Sequence, residues 1–391
     1  MGVRGTHAVI YLSHLRHNLR EIRRRVGEGR MVCAAVKADA YGHGAVEVGK
    51  VLVEEGVEML GVATPEEGAE LAGVGARVLL LGLTDGAGLE LAVEAGLELA
   101  VGDREYVREV ARVARAKGRR VRVHVEVDTG MGRTGCAPEE AVGVVEEVEG
   151  AGVLELAGMW THFPSSDEAD DGFTEAQVER FLQVVGRVRA RGISPGLLHA
   201  ANSGGIIGHP PSWLDMVRPG ISLYGYYPSE EQERTLSLLP VMEFVSQVVF
   251  LKKVRKGTPV SYGRTWRAPR DTWIATVAAG YADGYSRLLS SRAEVLIRGR
   301  RYPVVGRVCM DQFMVDVGPH PRVRRYDRVV LFGPDPSGPS AEELARLVGT
   351  IPYEITCAVS RRVPRLYVEE SPYLSGGSSS AHRGGLTRYE R

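Results

Sequence analysis

The chain has 391 residues, with 49 basic and 49 acidic side chains and 44% hydrophobic residues. This composition excludes a wholly disordered chain and offers no net charge to attract nucleic acid or anionic membrane. No apolar run approaches the roughly 20 residues of a membrane helix, and the first residues lack a signal-peptide core, so we expect a cytoplasmic protein. The four cysteines form no CxxC pair and the ten histidines no HExxH motif, so no metal site is expected.

Short apolar runs alternate with helix-like segments through the first 220 residues. Thr64 is a predicted helix N-cap, with Pro65 at the first helical position and Glu67 as the capping-box glutamate, and residues 103–117 and 174–191 are amphipathic. This alternation favours a (β/α)8 TIM-type barrel, with a doubly wound sheet as the alternative. The eight predicted strands are 31–36, 59–64, 78–82, 97–101, 121–128, 154–162, 197–202 and 215–220.

The pattern changes near residue 235, after which apolar runs follow one another with only short turns between them. Only residues 341–349 look helical, so we predict a β-rich domain over 236–372 after a barrel over 1–235. Residues 5–12 are a spare strand predicted to pair with the β domain, and the first helix is expected to begin at an N-cap such as Ser13. The Gly/Ser-rich segment 373–391 is predicted to be a disordered tail.

Polar residues follow several predicted barrel strands at the end where barrel enzymes carry their chemistry. Lys37 follows the first strand, Arg133 comes shortly after the fifth, His162 ends the sixth, and Arg218 lies in the eighth. Residues 202–205, Asn-Ser-Gly-Gly, end the seventh strand and could bind a phosphate through backbone N–H groups. Each has an ordinary structural explanation alone, but together they suit an aldehyde cofactor with a phosphate, pyridoxal 5′-phosphate (PLP).

Over residues 5–370 the chain resembles the alanine racemases. Nine motifs in family order carry the resemblance, which makes it far more specific than any one of them. They are AVKADAYGHG (35–44), VDTGMGRTG (127–135), THF (161–163), ANS (201–203), RPGISLYG (218–225), SYG (261–263), GYADGYSR (280–287), VGRVCMDQ (305–312) and PYE (352–354).

The resemblance implies a role for each matching residue. Lys37 would hold PLP and act as the base on one face of the reacting carbon, and Tyr262 would be the base on the other face. Arg218 would contact the pyridine nitrogen, with His162 beside the ring. The other cofactor-binding positions, most of them around the phosphate, would be Tyr41, Asn202, Ser203, Gly220, Ile221 and Tyr353. Arg133 and Met310 would bind the substrate, and the substrate entrance would comprise Tyr281, Arg287, Arg307, Ile351 and Asp167.

The family is a homodimer, so Tyr262 and Met310 would serve the partner's barrel. The implied activity is interconversion of L-alanine and D-alanine for peptidoglycan. One position departs from the family pattern, because many members carry a carbamate-modified lysine seven residues before the substrate-binding arginine. Here that residue is Glu126, also an anion, which we expect to orient Arg133 without modification.

Three other functions compete with alanine racemisation as interpretations of this sequence. A PLP-dependent decarboxylase of similar architecture would place an acidic residue where Arg218 stands and would carry a cysteine-aspartate motif that this chain lacks. A barrel that only handles cofactor supply would have no β domain carrying Tyr262. A racemase for serine or several amino acids would share Lys37 and Tyr262, and the sequence does not fix the pocket size that decides between these substrates.

Overall fold

The structure, a computed structural model, describes residues 5–169 and 172–374. Strand β1 (His7–Tyr11) runs directly into helix α1 (Leu12–Val26), so Tyr11 rather than the expected Ser13 is the N-cap. The Ser13 hydroxyl is instead buried, with no hydrogen-bond partner among these residues. Apart from Tyr373 and Leu374, the predicted disordered tail lies outside the described residues.

Eight parallel strands close into a barrel, as predicted from the alternating apolar runs. They are β2 (Met31–Ala35), β3 (Met59–Val62), β4 (Arg77–Leu80), β5 (Glu98–Val101), β6 (Val121–Glu126), β7 (Leu154–Trp160), β8 (Leu197–His199) and β9 (Met216–Val217). The helical segments of this half are α2 (Lys37–Gly42), α3 (Ala45–Glu54), α4 (Pro65–Glu70), α5 (Gly86–Glu94), α6 (Arg104–Ala116), α7 (Ala141–Gly150), α8 (Phe173–Ala190) and α9 (Ser203–Gly208).

Two helices around the barrel, α4 and α6, begin as their sequences indicate. Thr64 forms the predicted capping box with Glu67 at the start of α4. Asp103 caps α6 by accepting the Tyr106 N–H at 2.7 Å, and the buried face of that helix carries Val107 and Val110. Such caps satisfy N–H groups that the helix itself leaves unpaired.

The second half of the chain forms a β-rich domain around one eight-stranded sheet, whose order is β13-β16-β15-β14-β17-β10-β1-β18. Its strands are β10 (Met242–Val254), β11 (Pro259–Val260), β12 (Trp266–Arg267), β13 (Thr272–Val277), β14 (Glu294–Ile297), β15 (Arg300–Val305), β16 (Phe313–Gly318), β17 (Arg328–Phe332) and β18 (Arg365–Val368). Strand β1 pairs antiparallel with β10 and parallel with β18. The domain boundary between 235 and 236, in the irregular segment before β10, stays a prediction.

This half contains two α-helices among the described residues, α10 (Ala341–Val348) and α11 (Pro352–Cys357). The expectation of a single helix here was therefore wrong. Helix α11 is only six residues long and includes β-branched side chains, so periodicity gives no signal for it. The proline at its first position is the one local sign of a helix start.

The segment α2 is a left-handed turn rather than an ordinary helix. Residues 38–41 have φ between 52 and 54°, a conformation that costs about 1–2 kcal/mol for each non-glycine residue. Bonds from outside the turn hold it: Glu67 accepts the Ala38 N–H at 2.7 Å, and Arg365 donates to the Gly42 carbonyl at 3.0 Å. The turn follows β2 directly and carries both Lys37 and Tyr41.

Candidate active site

A cavity of about 150 Å³ lies at the C-terminal ends of the barrel strands. Ten of the residues predicted from the sequence line it: Lys37, Tyr41, His162, Asp167, Asn202, Ser203, Arg218, Gly220, Ile221 and Tyr353. Asp167 also lines a neighbouring cavity of about 410 Å³, together with Ile351. The structure therefore brings most of the predicted cofactor site into one place.

Lys37 presents an amine to this cavity directly after β2. Burial lowers the pKa of Lys37, and the charge of Arg133 lowers it further, with a smaller contribution from Arg218. An amine with a lowered pKa is more often unprotonated near neutral pH, which makes it both a nucleophile and a base.

The turn that follows Lys37 is fixed by side chains on both sides. Glu67 uses its second carboxylate oxygen to accept the Ala63 N–H at 2.8 Å, so one residue joins the start of α4 to the turn. His43 Nδ1 lies 2.9 and 3.0 Å from the carbonyls of Ala40 and Tyr41 and donates to them. A Cβ on Gly42 would lie 2.3 Å from the Thr356 carbonyl oxygen, so this close approach requires glycine.

Several N–H and O–H groups converge on one end of the cavity. Ser203 accepts the Gly220 N–H at 2.9 Å, and Asn202 caps α9 by accepting the Gly205 N–H at 3.0 Å. Within residues 5–169 and 172–374, the N–H groups of Ser203, Gly204 and Ile221 donate to no protein acceptor. Unpaired N–H groups at a strand-to-helix junction suit a phosphate.

Aromatic packing positions the hydroxyl groups of the same region. The Tyr41 ring stacks on the Tyr224 ring with centroids 4.8 Å apart. The centroid of the Tyr353 ring lies 5.8 Å from that of Tyr41. A Cβ on Gly220 would lie 2.7 Å from the Tyr41 hydroxyl, so the glycine leaves space there. The N–H and O–H groups here could bind a phosphate, and the Lys37 amine lines the same cavity, so these residues fit PLP.

Arg218 is buried at the base of the cavity. Its Nη2 donates to the carbonyls of Thr161 and Ala200 at 2.8 and 2.9 Å, and its Nη1 donates to His199 Nδ1 at 2.9 Å. The guanidinium lies 4.8 Å from the Trp160 ring centroid. Burial lowers the pKa of Arg218 to about 10, which still leaves it protonated at neutral pH.

His162 lies next to Arg218 and completes this part of the cavity. Its Nδ1 is 3.2 Å from Arg218 Nη2, and its imidazole is edge-on to Trp160. Burial lowers the pKa of His162 well below its ordinary value, and the charges of Arg218 and Arg133 add to the effect. The His162 imidazole beside the Arg218 guanidinium is therefore neutral.

Arg133 and Glu126 lie outside the lining of the cavity. Asp128 holds the loop between them by accepting N–H groups from residues 130–132. Arg133 is exposed, and no ion pair joins it to Glu126 in the part of the chain that the structure describes. Glu126 Oε2 is buried and has no hydrogen-bond partner in the described part of the chain. Burial raises the pKa of this carboxyl, although a hydrogen bond from Thr134 and the charge of Arg133 both act to lower it.

Tyr262 stands on a strained turn of the β domain. Ser261 and Arg264 have φ of 67° and 51°, a left-handed conformation that non-glycine residues adopt at a cost. Ser261 Oγ donates to the Arg307 carbonyl at 2.6 Å and lies 3.7 Å from Cys309 Sγ. These contacts tie the turn to the loop that carries Met310.

Apart from Tyr353, the β-domain residues predicted for the site do not line the cavity of their own barrel. Tyr262 is 71% exposed and Met310 is 53% exposed, and neither lines the cavity. Tyr281, Arg287 and Arg307 are likewise absent from its lining. One subunit therefore brings the Lys37 amine into the cavity but not the Tyr262 phenol.

Sequence reasoning missed several residues that support the cavity: Glu67 beyond its capping role, Trp160, His199 and Tyr224. His199 ends β8 and Trp160 ends β7, so their place at strand ends was a usable signal. Tyr224 lies inside the RPGISLYG motif, where its hydroxyl donates to the Ala35 carbonyl at 2.8 Å. Nothing in its local sequence indicates that contact.

Within the described ranges, 5–169 and 172–374, no three His, Cys, Asp or Glu side chains come together as metal ligands. No helix in the same ranges is long and apolar enough to cross a membrane.

Comparisons with known protein families match both halves of the chain. Residues 10–228 match the family "Alanine racemase, N-terminal domain", and residues 241–367 match "Alanine racemase, C-terminal domain". A curated alanine racemase of Treponema denticola is 43% identical over 378 residues, covering 94% of this chain and all of that protein. One from Chlorobaculum tepidum is 47% identical, covering 92% and 95% of the two chains.

Solved structures give the same result. An alanine racemase of Clostridium difficile superposes with a TM-score of 0.91 at 37% identity, covering 96% of this chain and all of that one. A Bartonella henselae alanine racemase with covalently bound pyridoxal phosphate has a TM-score of 0.83 at 26% identity, covering 93% and 99% of the two chains.

Proposed function

This chain belongs to the alanine racemase family, and from that premise we propose that it interconverts L-alanine and D-alanine by a two-base mechanism that uses PLP. In this proposal the enzyme works in the cytoplasm and supplies D-alanine for peptidoglycan. The observation that carries it is the cavity in which Lys37, Arg218 and the N–H groups around Ser203 converge. A solved relative with covalently bound pyridoxal phosphate supports the choice of cofactor.

PLP, when bound, supplies the electron sink that makes loss of the α-hydrogen possible. Lys37 would hold it through the Nζ amine, Ser203, Gly220 and Tyr353 would surround its phosphate, and Arg218 would face its ring nitrogen. Arginine has five N–H donors and stays protonated, so Arg218 would donate a hydrogen bond without transferring a proton. This distinguishes the site from one with an acidic partner, which would strengthen the sink and suit decarboxylation.

Racemisation requires one proton carrier on each face of a planar carbon. Lys37 would remove or return the proton on one face, and burial, which favours its neutral amine, supports that role. Tyr262 would act on the other face through its phenolic oxygen. Its high exposure and absence from its own cavity support a position in the partner's barrel.

The substrate carboxylate needs a cation that can bind it in a defined orientation. Arg133, on the loop after β6, would bind the substrate carboxylate with two N–H groups. Met310 of the partner subunit would contact the substrate on the same side. Asp167 and Ile351, which line the adjoining cavity, would lie on the path by which alanine enters.

The proposal is tested by Tyr262→Phe, which removes the phenolic oxygen and leaves the ring. We expect the variant to retain PLP absorbance, and borohydride to label Lys37 in it as in the wild type, while racemisation of L-alanine is lost. Tyr326→Phe is the matched control, since Tyr326 is another exposed tyrosine of the β domain, at 64%. It should racemise alanine at the wild-type rate.

A Tyr262→Phe variant that racemises alanine normally would remove the two-base mechanism. A wild-type protein that never acquires PLP absorbance would remove the cofactor. Parallel assays on L-alanine and L-serine separate an alanine enzyme from a broader racemase, because the latter would turn over both at similar rates.

A further inference from the structure

A chain of hydrogen bonds runs through the interior of the barrel below Arg218. Arg218 Nη1 is 2.9 Å from His199 Nδ1, and His199 Nε2 is 2.9 Å from His124 Nδ1. His124 Nε2 is in turn 2.8 Å from Glu98 Oε2, which also accepts Arg77 Nη2 at 2.8 Å. Both imidazoles are fully buried. We call these five residues the barrel chain.

The barrel chain spans the barrel from one end to the other. Arg77 and Glu98 are the first residues of β4 and β5, His199 is the last residue of β8, and Arg218 follows β9. The Arg77 side chain is 30% exposed, so the lower end meets solvent, while the upper end lines the cavity. The barrel chain therefore joins the candidate cofactor site to the opposite face of the barrel.

The surrounding residues are shaped to hold the two imidazoles. The Trp160 ring is parallel to His199, with an interplanar angle of 1° and centroids 5.8 Å apart. A Cβ on Gly158 would lie 2.5 Å from His124 Nδ1, so that residue leaves space for the ring. Barrel interiors are ordinarily filled by branched apolar side chains, and a well-packed apolar core is often as stable as a buried charged network. Stability alone is thus a weak reason for a polar chain here.

The hydrogen-bonding chemistry gives the barrel chain one direction. Arginine only donates, so His199 Nδ1 must accept and its proton is on Nε2. That Nε2–H donates to His124 Nδ1, which puts the second proton on His124 Nε2, where it is donated to the Glu98 carboxylate. Each histidine is then neutral, and every bond has one donor and one acceptor.

The electrostatics agree with this assignment. Burial lowers the pKa of both His124 and His199, and the Arg218 charge adds to the effect on His199. Burial by itself would raise the pKa of Glu98, but the bonds from His124 and Arg77 outweigh it and hold the pKa at about 2. Glu98 is therefore an anion, paired with the Arg77 guanidinium, and the two imidazoles are uncharged.

We propose that Glu98 and His124 are positioning residues for Arg218, because they fix His199 as the Nε2–H tautomer whose bare Nδ1 anchors the guanidinium. The other tautomer would place an N–H of His199 against an N–H of Arg218. Nη2 donates to Thr161 and Ala200 and one Nη1–H donates to His199, whereas the Nε–H and the second Nη1–H have no acceptor within residues 5–169 and 172–374 and stay available to a ligand. Only their target, the cofactor ring nitrogen, rests on the proposed function.

Histidine nitrogen NMR tests the tautomers directly. In protein carrying 15N-labelled histidine, assigned with single His→Gln variants, His124 and His199 should each show a protonated Nε2 and a bare Nδ1 at neutral pH. A doubly protonated ring, or a proton on His199 Nδ1, would overturn the proposal. This measurement needs no turnover, so it succeeds or fails separately from the racemase activity.

Variants at Glu98 test the effect on Arg218. Glu98→Leu removes the terminal acceptor and should shift the His199 nitrogen resonances and lower kcat about tenfold with KM nearly unchanged, the effect of one buried hydrogen bond. Glu98→Gln keeps an acceptor for His124 and should restore most of kcat. Unchanged His199 resonances and kcat in Glu98→Leu would contradict the positioning role.

Glu175→Leu is the matched control, because Glu175 accepts from His209 at 2.8 Å in a pair outside the barrel chain. It should leave the His199 resonances and kcat at wild-type values. If Glu98→Leu does not fold, the wild-type nitrogen spectrum and the Glu98→Gln variant still decide, since the wrong tautomer in either one refutes the proposal.

Discussion

Glu126 is the residue at which this chain departs from the pattern of its family. The carboxyl is buried, and among the residues that the structure describes one of its oxygens has no hydrogen-bond partner and no ion pair joins it to Arg133. Its influence on Arg133 is therefore expected through charge at a distance rather than through a direct bond. Burial raises the pKa of Glu126, so that charge develops at a higher pH than in an ordinary glutamate.

We expect Glu126→Gln to raise KM for alanine, because the amide no longer orients the Arg133 guanidinium electrostatically. The carboxyl becomes an anion only as pH rises through its raised pKa, so the difference in KM between wild type and variant should grow with pH. Steady-state kinetics across the pH range measure this. Glu139→Gln, at an exposed position before α7, serves as control. An equal KM in both proteins at high pH would show that Glu126 does not act on Arg133.

At the scale of one element, the left-handed turn α2 shows where sequence reasoning succeeds and where it stops. The strand before it was predicted because a strand of a parallel barrel is buried on both faces and is apolar throughout. The handedness of the turn was not, because the local sequence, including Ala38 and Ala40, is compatible with a right-handed helix. The bonds that hold the turn come from Glu67 and Arg365, which are distant in sequence.

The same limit applies to the barrel chain. His124 and His199 lie in apolar strands, and strand periodicity indicates burial without indicating which side chains meet across the barrel. Lys37, His162 and Arg218 could be predicted because each lies at the end of one strand, whereas Tyr41 and Tyr353 were implied only by the family resemblance. Contacts between strands needed the three-dimensional structure.

His43 ties the turn to the acid stability of the protein. Its Nδ1–H donates to two carbonyls of the turn, and burial lowers the pKa of His43 to about 3 from an ordinary 6.5. Below pH 6.5 the unfolded chain takes up this proton while the folded chain does not until about pH 3. The free energy of unfolding should therefore fall with acid by up to about 1.4 kcal/mol per pH unit in this window.

His43→Gln keeps a donor for the same carbonyls and does not titrate. We expect its denaturant-measured free energy of unfolding to fall less steeply between pH 6.5 and 3 than that of the wild type. His320→Gln, at an exposed position, should follow the wild-type curve. Parallel curves for wild type and His43→Gln would mean that His43 is protonated in the folded protein.

For the whole molecule, the exposed side chains of the β domain matter most. Tyr262 and Met310 lie outside the cavity of their own barrel, although the proposed reaction needs both beside the reacting carbon. A second copy of the chain would supply them. The proposed homodimer therefore carries two mixed sites, each made of one subunit's barrel and the other subunit's β domain.

Mixing two inactive variants tests this arrangement. In a heterodimer of Lys37→Ala and Tyr262→Phe subunits, one site carries both defects and the other carries neither. Since half of randomly paired dimers are mixed, activity should recover to about a quarter of the wild-type value. Joint unfolding and refolding followed by a racemisation assay measures it. Complete inactivity of a verified heterodimer would place both bases in one subunit.

The position of β1 has a consequence for how the protein is made. This strand leaves the ribosome before the other described strands, yet its partners β10 and β18 begin only at Met242 and Arg365. Roughly 230 residues separate it from β10, which at about 5–20 residues per second amounts to tens of seconds of translation. Throughout that interval the nascent polypeptide carries β1 without its partner strands, an open edge that can pair with other chains. The barrel can close only near the end of the interval, after β9 has been made.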